Sequence, residues 1–223
     1  MSEYEEIFKV ISLGDSKVGK TSIFRRYAHG VFEEEILSTI GLGFYFKEVK
    51  LKDGKNIKLK LIETAGQEKY KSLAKSYYKN AQGILFVFSY DDKKSFDHIE
   101  EWLNRFKEYG GNKEEIPLFL VGNKCDIENK VIEDNLIENL KNRIGFKYFK
   151  KTSAKDNIGI EELFNELSEK MYQQNKKNIG KEQKNKHLEN HEKKEKKKKV
   201  KKKLKTVVWG QFNFKFIIYP FNI

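Results

Sequence analysis

The chain has 223 residues, 38% of them hydrophobic, a single cysteine and a formal net charge of +12. One cysteine excludes an internal disulfide and suits a reducing compartment, the acidic start MSEYEEIFKV lacks the apolar stretch of a secretory signal, and no uncharged apolar run reaches the roughly 18 residues of a membrane span. Of the 45 basic and 33 acidic residues, 16 and 4 fall in residues 176–223, so the body is neutral and the charge excess describes the tail alone.

In chain order, EIFKVISL (6–13) reads as a first strand and residues 20–29 as a first helix. GFYFKEVKL (43–51) and IKLKLIE (57–63) flank KDGK, where Asp53-Gly54 signals a hairpin. GILFVFSY (83–90) is continuously apolar, as expected of a central strand covered on both faces. SFDHIEEWLNRFKEY (95–109) sets Phe96, Ile99, Trp102, Leu103 and Phe106 on one helical face, with Ser95 as its cap. IPLFLVGNK (116–124) is another buried strand, and its Pro117 argues against a long N-terminal ladder. VIEDNLIENLKNRIG (131–145) predicts a helix ended by Gly145, KYFKKTS (147–153) a last strand, and GIEELFNELSEKMYQ (159–173) a closing helix. The alternation predicts an α/β fold, a six-stranded, mostly parallel sheet with helices on both faces.

Composition shifts after Tyr172. The expected organisation is a folded domain over 1–174, a disordered polybasic tail over 175–205 and an apolar, aromatic segment over 206–223.

GDSKVGKT (14–21) matches the phosphate-binding pattern GxxxxGK[ST] between a strand and a helix. Such glycines let the backbone curl so that amides from Gly14, Asp15, Ser16, Lys17, Val18 and Gly19 face one anion, and the helix adds its N-terminal amides through Ser22. Lys20 would reach the β- and γ-phosphates, and the Thr21 hydroxyl would ligate Mg²⁺, a hard ion that takes oxygen. NKCD (123–126) follows a buried strand, at the sheet rim where α/β folds bind ligands. Its Asp126 would accept from the N1–H and 2-amino group of guanine, a donor pair adenine lacks. TSAK (152–155) supplies the other half of a base pocket.

With STIG (38–41), TAGQEKY (64–70), YYKNA (77–81) and SFDHIEEWL (95–103), this ordered set resembles the Ras superfamily of small GTPases, and within it the Rab family, over about residues 5–174. The resemblance implies a P-loop NTPase fold and slow GTP hydrolysis by in-line phosphoryl transfer to water. It implies that Thr39 is a second Mg²⁺ ligand, that Gly66 gives its amide to the γ-phosphate, and that Gln67 is the catalytic residue orienting the attacking water. Phe32 would pack on the guanine, Asn123 and Asp126 would bind it, Lys124 would cover it, and Ser153, Ala154 and Lys155 would complete the pocket through the Ala154 amide. Ser16 and Lys17 occupy positions the family lets vary. Implied partners are an exchange factor, a GTPase-activating protein and membrane-traffic effectors, with GTP or GDP bound and a cytoplasmic location on the cytosolic face of endomembranes.

Four departures stand out. Glu63 replaces an aspartate that holds Mg²⁺ through a water, Ile62 replaces an effector-facing tryptophan, and Gly43 stands where Rabs usually carry an acidic residue. The expected consequences are weakened but retained Mg²⁺ binding and altered partner choice. The fourth is the end of the chain. It closes on FIIYPFNI with no cysteine for prenylation, so the tail would contact anionic lipid through its lysines, at about 1 kcal/mol each, or residues past about 190 are translated non-coding sequence. Nucleic-acid binding is not expected, because no aromatic platform accompanies the lysine run. The competing reading is a nucleotide-bound scaffold with little turnover; a P-loop kinase would need an acceptor site and lid that the sequence lacks.

Overall fold

The computed structural model describes residues 6–34, 42–64, 78, 80–110, 116–181, 184 and 196–197. Its contacts divide the chain into two units, Met1–Gln174 and Asn175–Ile223. In the second, residues 175–181 are helical, where composition alone predicts no regular structure. Their Lys and Asn side chains tolerate a helix.

The first unit is built on strands β1 (Glu6–Leu13), β2 (Leu42–Lys50), β3 (Asn56–Thr64), β4 (Gly83–Ser89), β5 (Leu118–Asn123) and β6 (Tyr148–Lys151). They form one six-stranded sheet in the order β2-β3-β1-β4-β5-β6. The β2–β3 pair is antiparallel and every other pair is parallel. Helices are α1 (Lys20–His29), α2 (Lys93–Asp97), α3 (Ile99–Gly110), α4 (Asp134–Ile144) and a closing helix α5 over 160–174.

Strand periodicity of two sorts the apolar side chains onto two faces. Phe8 and Val10 of β1, Leu85 and Val87 of β4, and Phe119 and Val121 of β5 join Phe24, Tyr27 and Phe164 in one core. Ile11, Leu13, Ile84, Phe86, Phe88 and Leu120 join Leu103, Phe106, Ile137 and Leu140 in the other. Tyr27 and Phe164 stack with centroids 3.9 Å apart, locking α1 onto α5. Every residue of β4 is buried, as its unbroken apolar run requires.

Two expectations change. The helix expected from Ser95 begins earlier and is broken: Asp92 caps α2, its side chain accepting from the amides of Lys94 and Ser95, and a new helix starts at Ile99. One Asp92 oxygen accepts both amides from an extended backbone, so it outcompetes Ser95, whose hydroxyl instead donates to the Asp92 carbonyl at 2.7 Å. Ile62 is not an outward residue but lies 3% exposed in the second core. β3 pairs with β1 on that side, Ile11 opposite Ile62, and both side chains drop into the same cluster. The exposed aromatics of this sheet edge are Phe44 and Phe46, with Lys60 and Lys58 over their rings.

Candidate functional site

The turn between β1 and α1 has a backbone that ordinary residues avoid. Gly14 has φ 144° and Gly19 φ 93°, and a Cβ at either would collide with the Val87 carbonyl or the Asn123 carboxamide. Lys17 takes φ 66° without being glycine, and Lys124 takes φ 60° in NKCD. Two of the three such non-glycine residues among those described therefore sit in these two loops, where strain marks a functional site. No side chain caps the N-terminus of α1. Val18 is buried, Ser16 and Lys17 are exposed, and Ser22 is half-buried. The Lys20 ammonium turns back over the loop, donating to the carbonyls of Gly14 at 2.7 Å and Asp15 at 2.5 Å.

Asn123 joins this turn to the two loops at the other side. It is 2% exposed. Its Nδ2 donates to the Val18 carbonyl at 2.9 Å, while its Oδ1 accepts from the Thr152 hydroxyl at 3.2 Å and the Ala154 amide at 3.4 Å. The Cys125 amide donates to the Thr152 carbonyl, tying NKCD to TSAK a second time. Ser153 is buried and accepts from the Asp156 amide, whereas Lys155 is exposed. Asp126 Oδ1 is buried and has no hydrogen-bond partner among the described residues. A buried acceptor left unpaired is costly, so this oxygen fits a site completed by a ligand's donors. Lys124 extends to Asp91 at 3.0 Å. Burial pulls the Asp91 carboxyl up, but hydrogen bonds from Ser89 and Lys124 and the charge of Lys124 outweigh it and leave the group below its ordinary value. Burial, then the neighbouring Asp126, raises the Cys125 thiol, so it rests protonated in the loop.

At the mouth of the P-loop the Thr21 hydroxyl donates to Glu63 Oε1. Glu63 is 2% exposed, and its Oε2 accepts from the Tyr45 hydroxyl at 3.1 Å. Burial, the Glu63 charge and that hydrogen bond push the Tyr45 phenol up to about 12. Among the described residues no three acidic, imidazole or thiol groups converge into a closed metal cage. A hydroxyl beside a carboxylate is instead an open, oxygen-only half-site, which suits Mg²⁺ completed by phosphate oxygens and water.

The structure brings together Gly14 to Ser22, Asn123, Lys124, Asp126, Ser153, Ala154 and Glu63 at one rim of the sheet. Phe32 packs at the edge of the first core, 5.9 Å from the Arg26 guanidinium. Thr39, Gly66 and Gln67 lie outside the described residues.

Three contacts were not anticipated. Asp15 is gripped by α3 and its entry: His98 Nδ1 lies 2.7 Å from Asp15 Oδ2, and Trp102 Nε1 donates to Oδ1 at 2.7 Å. Reading Trp102 as core missed its polar edge, which an amphipathic aromatic on a helix always has to place. Arg26 donates from Nε to the Ala154 carbonyl at 2.7 Å, and from its two terminal nitrogens to Gly30 and Lys155 carbonyls. No short-range pattern signals it, because its partners lie 128 and 129 residues away.

Comparison with known proteins agrees with this arrangement. The Ras family model matches residues 9–173. The chain is 40% identical to the Ras-related protein RIC1 of Oryza sativa subsp. japonica over 73% of this chain and 79% of that one. It is 40% identical to the Ras-related protein Rab-10 of Diplobatis ommata over 76% and 84%, and 38% identical to Rab-13 of Mesocricetus auratus over 74% and 80%. A phosphate loop, a base-side loop pair stitched by one asparagine, and this span of similarity together place the chain in the Ras family of small GTPases.

Proposed function

We propose that the protein is a Rab-like guanine-nucleotide switch, holding GTP or GDP at the rim formed by its P-loop, NKCD and TSAK, and acting in membrane traffic through exchange factors, activating proteins and effectors. The observation that carries the nucleotide reading is the buried, partnerless Asp126 Oδ1 beside a P-loop that Asn123 holds in place. Two donors on one edge of guanine would satisfy it; the adenine edge offers no such pair.

In this reading the backbone amides of 14–19 and the N-terminus of α1 cradle the phosphates, and Lys20 leaves the loop carbonyls for the β- and γ-oxygens. Mg²⁺, when bound, neutralises phosphate charge as it builds on the leaving group. Thr21 and Glu63 would hold it from the protein side, joined by Thr39. Gln67 orients the water, Gly66 contacts the γ-phosphate, Lys124 and Phe32 flank the base, and the Ala154 amide meets its oxygen. No step forms a bond to the protein, so catalysis is positioning and charge compensation.

Among the described residues no helix is long and apolar enough to cross a membrane. We assign membrane contact to the lysine-rich tail, on anionic lipid at the cytosolic face of endomembranes.

Native mass spectrometry of the purified full chain tests the central reading: GDP or GTP co-purifies. Empty protein that takes ATP as tightly as GTP refutes it. Single-turnover release of γ-phosphate, with and without an activating protein, then separates a cycling switch from a nucleotide-bound scaffold.

A further inference from the structure

Gly43 sits directly opposite Glu63 across the antiparallel β2–β3 pair, and Tyr45 follows two residues on, opposite Leu61. Side chains two apart share a face, so Gly43, Tyr45 and Glu63 meet on the side facing α1. On that face His29 packs edge-on against Tyr45 with centroids 5.6 Å apart. The Glu63 carboxylate lies over Gly43. A Cβ at position 43 would stand 2.9 Å from Oε2, nearer than a real methyl approaches an oxygen, so the carboxylate would have to swing aside. The carboxylate is thus confined from below by bare backbone, at one oxygen by Thr21 and at the other by Tyr45.

A glutamate has one more rotatable bond than an aspartate, and an unconfined one would spend entropy each time it bound a cation. The contacts above remove that freedom beforehand. They also set the direction of the threonine: a hydroxyl has one proton and two lone pairs, and donating the proton to Glu63 leaves the lone pairs for a metal.

We propose that Tyr45 and Gly43 are positioning residues for the magnesium half-site, Gly43 by making room for the Glu63 carboxylate and Tyr45 by fixing its second oxygen. This rests on the guanine-nucleotide reading above and deepens it. Tyr45 does not touch the metal; it acts through Glu63. The glutamate, the glycine and the tyrosine form one unit, in which the longer acid is accommodated by the missing side chain across the ladder.

The test is a Mg²⁺ titration of the release of a fluorescent GDP analogue from the full chain, reading the Mg²⁺ concentration that half-suppresses release. Tyr45→Phe, which keeps the ring, raises that midpoint about fivefold, the factor that loss of a hydrogen bond of about 1 kcal/mol brings. It leaves the release rate in EDTA unchanged, a control that general loosening of the fold would move. Gly43→Ala raises the midpoint at least as far. Adding Glu63→Asp to Gly43→Ala restores it to the value of Glu63→Asp alone, because the shorter acid no longer meets the new methyl. In the Glu63→Asp background Tyr45→Phe has no effect. Wild-type midpoints for Tyr45→Phe and Gly43→Ala, or no restoration in the double variant, overturn the proposal. Wild type that binds no GDP analogue at any Mg²⁺ concentration overturns the nucleotide reading instead.

Discussion

Asn123 Nδ2 donates to the main-chain carbonyl of Val18 at 2.9 Å, joining two loops 105 residues apart. The same side chain accepts from Thr152 and Ala154, so one buried carboxamide sets the spacing of three loops. Asn123→Asp keeps the shape but turns an oxygen toward the Val18 carbonyl. We expect a loss of about 2–3 kcal/mol of stability, the cost of leaving buried partners unpaired. Urea unfolding without nucleotide measures it, and the loss should exceed that of Lys124→Ala in the same loop, whose side chain is only half-buried.

Trp102→Phe removes the indole donor from Asp15 while keeping a ring on α3. Among the described residues, the His98 contact then remains on that carboxylate. The expected result is faster release of a bound GDP analogue, by about fivefold to tenfold, for the loss of about 1–1.5 kcal/mol in a charge-assisted hydrogen bond that is partly solvated. Stopped-flow displacement with excess GDP reads it directly.

Asp91 supplies a pH signature. Its folded-state pKa lies below the ordinary 3.8, so its contribution is fully present above 3.8 and is lost as pH falls through the lower, folded value. Because the Lys124–Asp91 pair is more than a third exposed, its worth at neutral pH is no more than about 1 kcal/mol. The melting temperature of wild type should exceed that of Asp91→Asn slightly at pH 7, and the gap should close on acidification below 3.8. A gap that widens in acid contradicts the assignment.

Ile62→Trp tests where that side chain lies. A residue facing partners would accept the change with little effect on stability. Ile62 instead fills the second core beside Ile11 and Tyr78. Overpacking there should lower stability by about 1–3 kcal/mol in thermal or urea unfolding.

Phe164→Ala opens a cavity under the Tyr27 ring that it stacks on. The expected loss is about 3–5 kcal/mol, and the measurement is again urea unfolding.

Much of this was legible because the signals are local. β1 ends where EIFKVISL ends, and β4 follows its apolar run to Ser89. The P-loop, NKCD and TSAK announce themselves because a phosphate or a base needs particular atoms at fixed spacing. What escaped depends on pairing at a distance. A two-residue loop at Asp53-Gly54 would set Phe44 opposite Glu63. The observed connection is wider, with Leu51 and Lys55 hydrogen-bonded at 2.8 Å, and the register moves by one to Gly43. In a sheet, one step changes which face a residue shares, so the Tyr45–Glu63 contact could not be read without the ladder. The Rab resemblance places Ile62 outward, at an effector-facing tryptophan, whereas the β1–β3 pairing turns it into the second core. Sequence alone puts the cap at Ser95, whereas the extended backbone of Asp92 puts it three residues earlier. Arg26 carries no motif at all.

Arg26 has a mechanical meaning. One guanidinium clasps the carbonyls of Ala154 and Lys155 together with that of Gly30, where α1 ends. Those carbonyls belong to the segment that would face the base and to the segment where the chain leaves the helix toward Phe32. Riveted through a single planar cation, the two cannot part company: whatever pries the exit of α1 away from the body pulls on the Ala154–Lys155 segment at the same moment.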